Sequence, residues 1–215
     1  MGSHDIALDA VIGAVSERGF SARVLAIGSM GGVAAARRGE CDIAPVHLID
    51  PKTGEYNVHL AAHGVSLVQG WRRMQGILFL PGDARFEGRS AEDALAAALA
   101  DTRALMVNRN AGSGTRVLMD RLLAGKRPPG YANQPKSHNA VAAAIAQGRA
   151  DWGLAIQPVA TMYGLGFIPV APEHYDFLIV EKRRERPAVQ AFLAALRDEA
   201  TRARTRALGM EPADQ

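Results

Sequence analysis

Cysteine is almost absent from the chain, with Cys41 its one example in 215 residues. A single thiol excludes an internal disulfide framework and a multi-cysteine metal site, and it fits a reducing compartment. Charge of one sign is also scarce. The 25 Lys and Arg exceed the 22 Asp and Glu by 3, too small an excess to point to nucleic acid, although several arginines gather near the C-terminus. Long apolar runs are missing too: glycine or a charge interrupts each one before it reaches about 18 residues, so no transmembrane helix and no membrane partner are expected. The N-terminus lacks the basic and apolar regions of a secretory signal, which makes a cytoplasmic protein the expectation. Apolar residues make up 48% and charged residues 22% of the chain, the composition of a globular protein with one large domain or two small lobes.

The apolar pattern alternates between helical and strand periods. Ile6, Leu8, Val11, Ile12 and Val15 keep helical spacing up to Gly19. Met1-Gly2-Ser3-His4 reads either as a tag remnant or as the natural lead-in to that helix, with Ser3 or Asp5 as N-cap. A short strand over 22–27 follows, then Gly28-Ser29-Met30-Gly31-Gly32, a short helix to Arg38 and an apolar strand over 43–49. One or two strands are predicted within 65–80. A second block repeats the rhythm, with helix 91–100, strand 104–107, a loop from Asn108 to Gly112 and helix 113–123. Helix 139–147, strand 152–156 and a helix after Pro158 follow, and the tail offers a strand at 177–180 and a long helix from 187 to 208. This alternation predicts an α/β protein with largely parallel sheets. Val33-Ala34-Ala35-Ala36 leading to Gly39 and Asp42 is echoed by Val141-Ala142-Ala143-Ala144 leading to Gly148 and Asp151, as expected of two similar α/β lobes.

The sharpest local feature is Asn108-Arg109-Asn110-Ala111-Gly112-Ser113-Gly114-Thr115-Arg116, between a predicted strand and a predicted helix. Two readings of it are open. Helix amides, Ser and Thr hydroxyls and the Arg109 fork make an anion cradle; alternatively Ser113 only caps the helix, with Arg109 and Arg116 facing water. The Gly28–Gly32 junction offers the same chemistry, giving one such junction per lobe. His47 lies in an apolar run and is expected in the core or at a cleft edge. His59 and His63 stand at i, i+4 without the glutamate of a zinc-protease helix and are expected at the surface, so no metal site is predicted. Neither serine loop spells Gly-x-Ser-x-Gly, and neither a P-loop nor Gly-x-Gly-x-x-Gly occurs, which leaves no catalytic residue assigned.

Gly2-Ser3-His4-Asp5, Gly28-Ser29-Met30-Gly31-Gly32, His47-Leu48-Ile49-Asp50, Gly54-Glu55-Tyr56-Asn57, Asn108-Arg109 and Gly112-Ser113-Gly114-Thr115-Arg116 follow one another in a recognisable order. Together with Asp42-Ile43-Ala44 and Gly148-Arg149-Ala150-Asp151, they resemble the periplasmic-binding-protein-like domain found fused to molybdopterin-biosynthesis proteins or to molybdate-responsive helix-turn-helix regulators. The resemblance implies a type II binding-protein fold: two α/β lobes with ligand in the central cleft, the first lobe formed by 1–78 and completed by 172–215, the second by 79–171. It implies no cofactor, a molybdate- or tungstate-like oxyanion as ligand, and a fused or partner module to which occupancy is reported. Ser3, Ser29, Arg109, Ser113 and Thr115 are the implied contacts, with Met30, Gly112 and Gly114 beside them and His47, Tyr56 and His138 at the cleft edge. The strand that usually precedes Gly-Ser-His-Asp is missing here, so the first lobe is expected to lack it or to use a different edge. Alternatives are a small organic acid or pterin-like ligand bound near Tyr56, His47 and Trp71, an enzyme of molybdenum-cofactor assembly with His47 or His138 as acid/base, and an interaction module with an empty cleft.

Overall fold

The computed structural model describes residues 1–62 and 64–214, which divide into two compact units. The first comprises residues 1–73 and 173–215, the second residues 74–172. Both divisions fall inside long strands, β2 (Val65–Phe79) and β5 (Gly166–Val180); the expected boundaries stand at 78/79 and 171/172.

In the first unit, α1 (Ile6–Glu17) starts at Asp5, whose side chain accepts from the Ala7 amide at 2.7 Å. Helix α2 (Gly28–Arg38) ends at Gly39, in the left-handed conformation, and leads into β1 (Ile43–Val46). β1 pairs antiparallel with β5, from Ile43 opposite Ile179 to Val46 opposite Asp176, and its buried face joins Val33, Ala36 and Leu178 in one apolar cluster. An aromatic ladder fills the rest of this core. Trp71 stacks on Tyr175 at 5.0 Å, Tyr175 meets Phe177 edge-on at 5.6 Å, and Phe177 meets Phe192 of α7 (Pro187–Arg197) at 5.0 Å.

Two expectations fail in this unit. Residues 22–25 are extended and largely exposed, and the predicted strand there shrinks to a single parallel bridge between Ala26 and Gly2. Its partner is the chain start itself: Gly2 N donates to Leu25 O at 3.0 Å, Ser3 N to Pro45 O at 3.0 Å and the Met1 amine to Ile43 O at 3.0 Å. Residues 1–3 thus lie between residues 25–27 and β1. The long C-terminal helix is two helices, α7 and α8 (Glu199–Ala207), because Asp198 turns extended and caps the second by accepting from the Thr201 amide at 2.9 Å.

The second unit holds α3 (Ala91–Ala100), β3 (Met106–Val107), α4 (Gly114–Leu123), α5 (His138–Ala146), β4 (Trp152–Ile156) and α6 (Gln157–Met162). Its strands run in the order β5, β2, β4, β3, around a core of Ile77, Phe79, Phe86, Met106, Met119, Trp152 and Leu154. β3 and β4 are parallel, but β2 and β4 are antiparallel, as are β1 with β5 and β2 with β6 (Glu211–Pro212) in the first unit. The largely parallel sheets expected from the α/β alternation are therefore corrected. β5 is much longer than the predicted 177–180 because Pro169 and Pro172 obscure its first half in the sequence. No helix among the described residues is long and apolar enough to cross a membrane.

Gly70 marks a close approach of β2 to β5, where an added Cβ would lie 2.4 Å from Tyr175 O and 2.7 Å from a Phe177 ring carbon. The backbone oxygen cannot move aside without breaking the strand. Gly70→Ala is expected to lower stability by about 1–3 kcal/mol, as measured by urea unfolding.

Candidate functional site

The first unit gathers its polar side chains behind Ser3. Ser3 Oγ and His47 Nε2 are 2.6 Å apart, and His47 Nδ1 lies against Glu173 Oε1. Glu173 Oε1 also accepts from Arg73 Nη2 at 2.6 Å, and Arg73 Nη1 donates to Asp5. All are buried: Ser3 and His47 are 5% and 1% exposed, Glu173 is fully enclosed, and Tyr175 OH donates to Ser3 O at 2.6 Å. Burial alone would raise the Glu173 carboxyl pKa, but the charges of Arg73 and His47 reverse that and hold it at about 2. Burial likewise opposes the Arg73 charge, and attraction to Glu173 and Asp5 more than compensates. Burial pushes Tyr175 well above the usual phenol range, which keeps it a neutral donor.

The neighbouring motif residues hold this cluster in place. His47 N donates to Ser29 Oγ at 3.1 Å, so the Ser29 hydroxyl, predicted as a ligand contact, fixes the histidine to the first turn of α2. Leu48 N donates to Asn57 Oδ1, and Asn57 Nδ2 donates to Asp176, each at 2.7 Å, which clips the 48–57 loop to β5. Tyr56 is half-buried and stacked on His174 at 5.5 Å, while Met30 is 57% exposed. Gly32 serves packing, since a Cβ there would lie 2.8 Å from Gly2 Cα. Of the two histidines expected at the surface, His59 is exposed and His63 lies outside the described residues. A cavity of about 450 Å³ is lined mainly by apolar groups such as Ile12, Leu25, Ile43, Val189 and Phe192; it reaches Ser3 but not His47, Ser29 or Tyr56.

In the second unit the segment after β3 leads directly into α4. Ser113 caps the helix, accepting from the Arg116 amide at 3.2 Å. The first amides of a helix have no partner within it, so this end attracts negative charge. Arg109 is 5% exposed rather than facing water, and its Nη2 lies 3.4 Å from Lys136 O. Arg116 is a brace: it donates to Asp120 at 2.8 Å and to Tyr131 OH at 2.5 Å. Thr115, in the first turn of α4, is fully buried, and its Oγ1 has no hydrogen-bond partner among the described residues. Gly112, at φ +82, turns the chain into the cap, and Gly114 opens the helix. His138, 5% exposed, begins α5, which packs on β3 and β4 as α4 packs on β4.

Sequence reasoning missed Arg73 and Glu173 and read Asp5 only as a cap. Arg73 stands 68 residues from Asp5 and 100 from Glu173, and its sole sequence signal is a charge within an otherwise strand-like run. Among the described residues, no group of three or more His, Cys, Asp or Glu side chains is placed to hold a metal ion.

This arrangement of α/β units has known counterparts. The profile of the PBP superfamily domain matches residues 13–197, and the chain belongs to this family. It is 31% identical over 168 residues to the uncharacterized protein YvgK of Bacillus subtilis (strain 168), covering 74% of this chain but only 53% of that protein, so it spans about half the relative's length. In fold it resembles an ABC-type phosphate transport receptor from Vibrio cholerae (TM-score 0.67, 14% identity, 98% of this chain and 97% of that one). It also resembles the tungstate-binding protein TupA from Desulfovibrio alaskensis G20 (TM-score 0.64, 16% identity, 98% and 94%). The regulatory domain of the LysR-family regulator MetR from N. meningitidis is a third counterpart (TM-score 0.64, 12% identity, 99% and 95%). The fold is thus of the type II periplasmic-binding-protein class.

Because the Glu173 pKa falls from its usual 4.5 to about 2 on folding, its pairing stabilises the protein above pH 4.5, and that contribution is lost as pH falls through about 2. Glu173→Gln is therefore expected to be less stable at neutral pH and to lose less further stability over that acid window, as followed by circular dichroism. Arg73→Met leaves two buried carboxylates without their cation and should cost about 3–5 kcal/mol.

Proposed function

We propose that this chain is a binding domain for a tetrahedral oxyanion of the molybdate or tungstate type, reporting occupancy to a fused or partner module linked to molybdenum-cofactor biosynthesis or its regulation. The observation that carries this reading is the α4 N-terminus, where buried Arg109 and the fully enclosed Thr115 hydroxyl, which has no hydrogen-bond partner among the described residues, accompany the first-turn amides. A buried donor without a partner is costly in the empty protein, and an anion is the partner it lacks. Arg109 supplies charge, Thr115 and the amides supply donors, and Ser113 shapes the turn. In the first unit Ser3, Ser29, Met30, His47 and Tyr56 are further candidate contacts, and in the second unit His138 is another; these rest on the motif resemblance alone. Two of the counterparts are, by name, a phosphate receptor and a tungstate-binding protein, and the LysR regulatory domain lends support to a sensing role.

Thermal unfolding with tungstate, molybdate, sulfate or phosphate tests the reading. An anion at about 100 times its Kd should raise the midpoint by roughly 5–10 °C, and the proposal fails if none of the four does. Thr115→Val separates binding from folding. It preserves shape and removes the unpartnered hydroxyl, so the empty protein should gain about 1 kcal/mol while anion affinity falls about tenfold or more. Arg109→Ala should reduce affinity by a similar or larger factor.

A further inference from the structure

Thr115 is not the only enclosed polar group at the head of α4. Gln75, on β2, is 1% exposed, and its Oε1 has no hydrogen-bond partner among the described residues. Both residues belong to the second unit. The sheet register fixes the face on which Gln75 lies. Gln75 stands opposite Ile156, Ile77 opposite Leu154 and Phe79 opposite Trp152, and residues two apart on a strand or paired across strands share one face. Ile77, Phe79, Trp152 and Leu154 form an apolar core with Met119 and Leu123 of α4, so α4 covers this face.

The position along that face follows from the same register. Ile156 is the last residue of β4, so Gln75 stands where β4 finishes. β3 runs parallel to β4, and α4 follows β3, so α4 begins at this same end of the sheet. Thr115 lies four residues before Met119 and eight before Leu123, on the side of α4 turned to the core and one turn nearer the helix start. The Thr115 hydroxyl and the Gln75 carbonyl therefore stand at one end of one sheet face. They do not bond to each other, which would satisfy both.

A side-chain amide is neutral and two-ended: its Nε2 donates to an anion oxygen that carries no proton, and, turned over, its Oε1 accepts from an oxygen that carries one. A carboxylate in its place would accept only. Resting on the oxyanion reading above, we propose that Gln75 is a ligand contact of the α4 site and the residue that lets it hold both fully ionised tetrahedral dianions and a dianion that keeps one proton, such as hydrogen phosphate.

Titration calorimetry of the full chain in mildly alkaline buffer tests this, because tungstate and hydrogen phosphate are there both tetrahedral dianions and only phosphate carries a proton. The unaltered chain should bind both. In Gln75→Glu, tungstate affinity should fall about a hundredfold or more, through repulsion and the lost donor, while phosphate loses at least about tenfold less. Gln75→Leu, of similar volume, should weaken both anions about tenfold or more, and Gln75→Met asks the same question if another variant fails to fold. Equal losses of the two anions in Gln75→Glu, or unchanged affinities in Gln75→Leu and Gln75→Met, overturn this inference and leave the oxyanion reading intact. An unaltered chain that takes only one of the two anions does the same. Failure of tungstate, molybdate, sulfate and phosphate alike to bind overturns that reading and this inference with it.

Discussion

The buried guanidinium of Arg73 is the constraint on which the first unit depends. It joins three separate pieces of chain, pairing with Asp5 at the head of α1 and with Glu173 in β5 while itself standing in β2. Its ring contact with Tyr175, 4.9 Å from the centroid, ties the same charge to the aromatic ladder. A buried ion pair rarely adds net stability over a well-packed apolar substitute, because desolvation offsets much of the attraction. What it supplies here is placement. Asp5 fixes the start of α1, Glu173 fixes the imidazole of His47, and both determine where Ser3 sits.

The two units handle their polar groups differently. In the first, the Ser29 hydroxyl serves the His47 amide, the Asn57 amide serves Asp176, and Tyr175 serves the Ser3 carbonyl. Their geometry is set by partners within the unit itself. In the second, Ser113 and Arg116 are committed to capping and bracing, whereas the Thr115 hydroxyl remains unsatisfied. The division between shaping groups and recognising groups runs within a single motif, Gly112-Ser113-Gly114-Thr115-Arg116.

Much of this was legible in the sequence because it depends on local chemistry. Strand 152–156 and helix 91–100 match the observed elements to the residue, since each has a clean apolar pattern and, for the helix, Ser90 as cap. The order of motifs also pointed to the fold. What escaped was non-local. No periodicity reveals that residues 1–3 substitute for a strand beside β1, or that Pro169 and Pro172 lie inside one long strand. The Ser3–His47–Glu173 cluster was equally hidden, because its members sit far apart in the chain and each had an adequate local explanation. Ser3 read as a cap or ligand contact, His47 as a core or cleft-edge histidine, and Glu173 as nothing in particular.

Such sites argue against equating good internal satisfaction with good design. A chain selected for stability alone would place valine at 115, which fits the same space without a buried hydroxyl, and would put apolar side chains where Arg73, Asp5 and Glu173 pair in the core. Both features are small local violations in a fold whose other signals agree with one another: caps, aromatic packing and apolar clusters all support the same architecture. Violations that persist in an otherwise consistent structure mark places where free energy is held for another molecule. Here the two are a hydroxyl without a hydrogen-bond partner among the described residues at a helix N-terminus and a fully enclosed ion-paired cluster behind Ser3.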